Sequence, residues 1–312
     1  MKPKAAIVYL APKESMNRFE VFLYSLELME KHFNQRFGYP VVIFHEDLPE
    51  AKMEQIRSTF SSEFYFEKLV DFLELPTHLN IEKVKRWLQG KDGGRLSAQG
   101  LGYRQMCRFY SHGLLFHPAL HAYDYYWRFD DDSYLTHPVN FDPIETLEKQ
   151  GCVYGFRSLM REDPKRTEGQ GLKEIMTLTR KFARKNRLPL KHLRPFSDWL
   201  GRSNGKQYYT NFEINKLSFW RNNTLFKEYI SLLEHADGFY KYRWGDALTR
   251  TLACSIFLKP QQIHHFTTIG YRHNYHAAVT DSVDIHYFIP DEIDRSASVV
   301  QELGAFHIPG DA

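Results

Sequence analysis

Cysteine is scarce and unpatterned in this chain: Cys107, Cys152 and Cys254 are the three among 312 residues, and no CxxC pair occurs. An odd number at such spacings excludes a zinc ribbon and a disulfide-built scaffold, and it suits a reducing compartment. Long apolar runs are missing too. Residues 5–11 are mostly apolar but end at Pro12, whereas a membrane-crossing helix needs about 20 such residues and a secretory signal about 7–15 followed by a cleavage site. The stretch therefore reads as a first strand. A strong excess of either charge is also absent, with 41 Lys or Arg against 38 Asp or Glu. There is neither an RNA-binding aromatic motif nor a zinc-finger pattern, so nucleic acid is not an expected partner. No internal repeat or low-complexity tract interrupts the chain.

What is present is enough apolar material for a large core, at 43% hydrophobic and 15% aromatic. The apolar spacing alternates strand with helix. After the first strand, Phe19, Phe22, Leu23, Leu26, Met29 and Phe33 recur at helical spacing with Ser15 as a cap, and residues 40–44 read as a second strand. Residues 51–60 read as a helix, 64–66 as a strand, 76–101 as an irregular connection and 103–116 as a helix. Strands at 125–129 and 151–156 follow. Such repetition predicts an α/β fold with a parallel or mostly parallel sheet flanked by helices.

The segment 125–129 is the apolar strand YYWRF, and Asp130-Asp131-Asp132 closes it. Carboxylates there lie where open α/β sheets bind their ligands. In an extended chain residues i and i+2 point the same way, so Asp130 and Asp132 can share one hard divalent cation. A cation so held neutralises a diphosphate, which is what a nucleotide-sugar glycosyltransferase requires of its leaving group.

Three later islands extend the pattern. YYTNFEI at 208–214 sets Glu213 among aromatic and amide groups, where low polarity holds a carboxylate against a developing cation. YRWGD at 242–246 places Asp246 in the first turn of a helix, as a cap or as an active-site acid. IGYRH at 269–273 places His273 beside glycine, where it is either a metal ligand or a core histidine. Residues 157–206 break the composition, with 14 Lys or Arg against 5 Asp or Glu. That stretch reads as a helical insertion with a solvated basic face, or as a patch for an anionic acceptor or membrane surface.

YYWRFDDDSYL, YYTNFEI, YRWGDA and IGYRH, together with YRQMCRF at 103–109 and the stretch from Ser25-Leu26-Glu27 to Tyr39-Pro40, resemble the fungal alpha-1,2-mannosyltransferases that extend glycoprotein and glycolipid mannose chains. The resemblance spans roughly residues 5–275. It implies a GT-A fold, GDP-mannose as donor, manganese (Mn2+) as cofactor and retention at the anomeric carbon. It implies Asp130, Asp132 and His273 as metal ligands. It implies Glu213 as nucleophile or as stabiliser of the oxocarbenium ion, with Tyr103 and Asp246 as further catalytic residues. Lys13, Tyr103, Arg104 and Asp130 are the expected donor-binding set.

The chain departs from the family pattern in three places. Pro12-Lys13 stands where an arginine is expected after the first strand, DDD replaces Glu-Pro-Asp, and residues 1–312 are not expected to contain the family's membrane anchor. These departures leave a UDP-sugar donor open as an alternative, and a non-catalytic sugar-binding protein is the rival of another class. The expected organisation is a single GT-A-like domain over 1–312, with a nucleotide half at about 1–135, an acceptor half at about 136–312 and the basic insertion at about 157–206. The expected partners are a nucleotide sugar and a glycan, glycoprotein or glycolipid acceptor, with peripheral membrane contact through the insertion. A chain complete as it stands is expected in the cytoplasm, and one whose N-terminal anchor was removed in the Golgi lumen.

Overall fold

The computed structural model describes residues 2–70, 72, 74–94, 100–162, 169–273, 276–278 and 286–287. Its strands in chain order are β1 Ala5–Leu10, β2 Val41–His45, β3 Phe64–Lys68, β4 Tyr125–Phe129, β5 Ser133–Leu135, β6 Tyr154–Phe156, β7 Leu159–Arg161, β8 Lys206–Tyr208, β9 Phe212–Lys216, β10 Ile263–His265, β11 Tyr271–His273, β12 His276–Ala278 and β13 His286–Tyr287. Among the described residues seven of them form one sheet in the order β10-β6-β9-β4-β1-β2-β3. Only β9 runs antiparallel to its neighbours there. The sheet is thus mixed and mostly parallel, as the strand and helix alternation predicts.

The inner strands read as continuous apolar runs because both of their faces are covered. Tyr125, Trp127 and Phe129 pack on one side with Phe22, Leu26 and Met29 of the helix Phe19–Met29. Tyr126 packs on the other with residues of the helices Thr224–His235 and Asp246–Phe257. The basic segment belongs to this second side. Its helix Gly169–Lys185 buries Leu172, Ile175, Met176 and Phe182 while Lys173, Lys181, Arg184 and Lys185 stay exposed. Among the described residues no helix is long and apolar enough to cross a membrane.

Several boundaries differ from the sequence expectation. Ser15 lies in a separate 3-10 turn, Glu14–Met16, and Arg18 precedes the first long helix without capping it. Residues 81–88 form a helix inside the expected irregular connection, started by the Asn80 side chain, which accepts from Glu82 N. The helix expected at 103–116 is interrupted by a π-turn at Phe109–Gly113. The strand expected from Gly151 begins at Tyr154, because Gly151 takes φ +67° to end the helix Pro143–Gln150.

Candidate active site

The acidic triplet sits in a turn. Ser133 N donates to Asp130 O at 3.1 Å, and Asp130 N donates to Ser133 Oγ at 3.1 Å. Asp130 and Asp132 therefore converge through turn geometry, and extended-strand alternation is not the cause. β5 follows at once and pairs antiparallel with β11, setting His273 opposite Ser133. Gly270 makes that approach feasible: a Cβ there would lie 2.5 Å from Thr136 Oγ1 and 2.6 Å from His137 Nδ1. His273 Nε2 ends 2.9 Å from Asp132 Oδ1 and 3.6 Å from Asp130 Oδ2, while its Nδ1 meets Tyr209 Oη at 2.8 Å.

Two arginines hold the remaining carboxylate oxygens. Arg128, buried in β4, donates from Nε and Nη2 to Asp130 Oδ1 at 2.9 and 2.7 Å, and from Nη1 to Asp246 Oδ2 at 2.6 Å. Its guanidinium lies 3.3 Å from the centre of the Tyr110 ring. Arg18 Nη2 donates to Asp132 Oδ2 at 2.7 Å and approaches Asp131 Oδ2 at 3.4 Å.

This network sets the local proton affinities. Burial pushes the Asp130 carboxyl up, but Arg128 and then His273 outweigh it and hold it well below the usual range. Asp131 is pushed up by burial and by the adjacent Asp132. Burial lowers the His273 imidazole, but its contacts with Asp130 and Asp132 raise it to about 9.

A cavity of about 700 Å³ opens over this cluster at the carboxyl ends of β1 and β4. Lys13, Tyr103, Asp246 and His273 line it together with all three aspartates. Lys13 Nζ contacts Glu46 Oε2 at 2.8 Å, and the Tyr103 ring lies 5.4 Å from the Arg243 guanidinium. Asp246 is the first residue of its helix but makes no cap, since Oδ2 accepts from Arg128 and from Thr210 Oγ1 at 2.7 Å.

Two of the expected site residues face elsewhere. Arg104 is buried and donates from Nη1 to Tyr240 O at 2.6 Å. Successive helical residues point about 100° apart, so the turn that aims Tyr103 at the cavity aims Arg104 away. Glu213 has 0% exposure and does not line the cavity. Its carboxylate accepts from Tyr126 Oη at 2.6 Å and from Arg250 Nε at 3.1 Å. Arg128 and Arg18 escaped the sequence reading. An arginine inside an otherwise apolar strand is the signal that identifies the first; nothing local marks the second.

The donor set suits a hard cation. Asp130 Oδ2, Asp132 Oδ1 and His273 Nε2 are directed at one another, and carboxylate with imidazole is a combination manganese accepts. Among the described residues no three such side chains already stand in metal-holding geometry, and His273 contacts Asp132 directly. Ligation requires a neutral imidazole that exchanges this contact for the metal.

A mixed sheet with an acidic turn at the carboxyl end of a central strand defines a GT-A-like glycosyltransferase fold. The chain belongs to the glycolipid 2-alpha-mannosyltransferase family, whose sequence pattern matches residues 1–287. It is 30% identical to the Glycolipid 2-alpha-mannosyltransferase of Saccharomyces cerevisiae over 279 residues, 87% of this chain and 61% of that protein. It is 29% identical to the O-glycoside alpha-1,2-mannosyltransferase homolog 2 of Schizosaccharomyces pombe, covering 80% of this chain and 67% of that one. The chain thus spans about six tenths to two thirds of these relatives. Among solved structures it is similar to the mannosyltransferase Ktr4p from S. cerevisiae in complex with GDP, with a TM-score of 0.79 and 26% identity over 91% of this chain and 75% of that one. Core-mannan synthase A from Aspergillus fumigatus, in its Mn/GDP form, shares the fold with a TM-score of 0.80 and 24% identity, covering 93% and 80% of the two chains.

Proposed function

We propose that this chain is a retaining alpha-1,2-mannosyltransferase that moves mannose from GDP-mannose to a hydroxyl of a mannoside or other glycan, free or on protein or lipid. The observation that carries the proposal is the convergence of Asp130, Asp132 and His273 at the floor of the cavity. Family membership and the GDP complex of Ktr4p support the choice of base and sugar. In this reading residues of about 1–135 supply the nucleotide half of the site and later ones the acceptor half. The exposed basic residues of 169–206 give peripheral membrane contact.

Asp130, Asp132 and His273 would hold a manganese ion, which when bound supplies Lewis-acid stabilisation of the leaving diphosphate. Arg128 fixes Asp130 and Asp246 from one guanidinium, so two cavity carboxylates are oriented before substrate arrives. Asp246 then faces the sugar or the acceptor hydroxyl. Tyr209, bonded to His273 Nδ1, holds that ring in place. Of the two retaining routes, covalent attack would require Glu213 to leave both Arg250 and Tyr126 and enter the cavity. Front-face attack requires neither, and it is the route proposed here.

Two measurements test this reading. Thermal shift and donor hydrolysis with GDP-mannose and with UDP-sugars, each with and without manganese, should show manganese-dependent stabilisation and hydrolysis for GDP-mannose alone. Stronger stabilisation by a UDP-sugar overturns the base assignment, and no hydrolysis of any donor leaves a binding protein. For the nucleotide pocket, Lys13→Ala is expected to weaken GDP binding about two- to fivefold at low salt, with less effect at high salt, as for a partly exposed charge contact. Affinity unchanged at both salt levels removes the first loop from the nucleotide contact.

A further inference from the structure

The loop between the 3-10 turn Lys191–Phe196 and β8 carries Trp199 and Leu200 into water, 89% and 53% exposed. It is firmly built. Gly201 N donates to Asp198 O at 2.9 Å and Asp198 N to Arg202 O at 2.8 Å. The Asp198 carboxylate accepts from Arg202 N at 2.8 Å and from Arg202 Nε at 2.7 Å. Gly201 adopts φ +75° against Arg180, whose Nη2 donates to Ser197 Oγ at 3.1 Å. These bonds close the tip that carries the exposed indole.

The surroundings are cationic. Arg184 lies one helical turn beyond Arg180 on the same face, and Lys191 and Arg194 share a face of the 3-10 turn that leads into the tip. All three are exposed. Between 169 and 206 the only carboxylates are Glu174 and Asp198, and Asp198 is already bonded to Arg202. Neither Trp199 nor Leu200 lines the cavity.

We propose that this tip docks the protein on an anionic lipid bilayer: Trp199 and Leu200 enter the interfacial layer while Arg184, Lys191 and Arg194 lie against lipid phosphates. Tryptophan and leucine beside lysine and arginine is the composition of surface-bound membrane segments. A glycan platform fits the tip less well. It would use hydrogen-bonding amides and carboxylates beside the ring and continue into the cavity, and it would gain nothing from an exposed leucine or surplus cations. The inference sharpens the peripheral contact proposed above but does not depend on the transfer reaction.

The test is co-sedimentation of the whole chain with vesicles of phosphatidylcholine alone and of equal parts phosphatidylcholine and phosphatidylserine. Binding is expected on the mixed vesicles at low salt, at least tenfold above phosphatidylcholine alone, and should weaken as salt rises. Trp199→Ala with Leu200→Ala should lower the partition at least tenfold, and so should Arg184→Glu with Lys191→Glu. GDP affinity should be unchanged in both pairs, since none of these residues touches the cavity. Absence of wild-type binding overturns the proposal, as does binding that survives the Trp199 and Leu200 changes. If those changes instead weaken binding of a soluble mannan oligosaccharide while vesicle binding is unaltered, the tip is a glycan subsite and the proposal fails.

Discussion

Asp132→Asn is expected to lower turnover at least tenfold at saturating manganese, about 1.4 kcal/mol or more of barrier, while cooperative unfolding is retained. The side chain keeps its shape and loses the charge that His273 and Arg18 both address. In the folded protein burial raises this carboxyl, but His273 and Arg18 outweigh burial and draw it below its ordinary value, so the site is arranged for an anion at this position. The fold has other means of holding the turn. Arg18 still reaches Asp131, His273 still faces Asp130, and Ser133 still closes onto Asp130 through the backbone. The loss therefore falls on the group that neutralises the diphosphate and spares the scaffold. Turnover and melting temperature measured side by side decide the matter: near-normal turnover at saturating manganese removes Asp132 from the metal set.

The parts of this site that were legible in the sequence are those that local pattern encodes. An apolar strand ended by carboxylates, a glycine beside a histidine and an acid at a helix start each announce a position along the chain. The structure places Asp130, Asp132, Asp246 and His273 around one cavity. What local pattern does not encode is direction. Tyr103 and Arg104 are neighbours in sequence, yet only the first faces the cavity, because helical rotation separates them. The aromatic setting of Glu213 predicted a dry carboxylate, and burial is complete. However, strand alternation assigns Phe212 to one face and Glu213 to the other, and no local feature says which face meets the substrate. Arg18 reaches Asp132 across 114 residues of chain, a pairing that only the tertiary fold creates. The helix Ile81–Leu88 was missed because its surroundings are glycine-containing and polar, and its start depends on one Asn80 cap.

Glu213→Gln is expected to destabilise the protein by roughly 3–5 kcal/mol, the cost of leaving one member of a buried ion pair without its partner. Glu213 and Arg250 are 0% and 1% exposed at the side chain and meet at 3.1 Å. The substitution leaves the Arg250 guanidinium without a counter-charge, with hydrogen bonds to Tyr110 O at 3.2 Å and Tyr126 Oη at 3.4 Å and the Trp220 ring centre 5.7 Å away. Tyr110 is also the residue beneath Arg128, so the disturbance reaches Asp130 and Asp246 without Glu213 touching the sugar. A fall in turnover of the single variant is therefore ambiguous, and the informative variant removes both charges. Replacing a buried pair with apolar or neutral groups of similar volume is often neutral or stabilising, so Glu213→Gln combined with Arg250→Met should recover most of the lost stability in a urea titration. If Glu213 serves only as the buried counter-charge of Arg250, turnover in the double variant should return to within about tenfold of the parent, on the same barrier scale. A double variant that is stable but remains two orders of magnitude slow, with GDP affinity unchanged, would show that the carboxylate acts at the anomeric centre, and front-face transfer without it would be wrong.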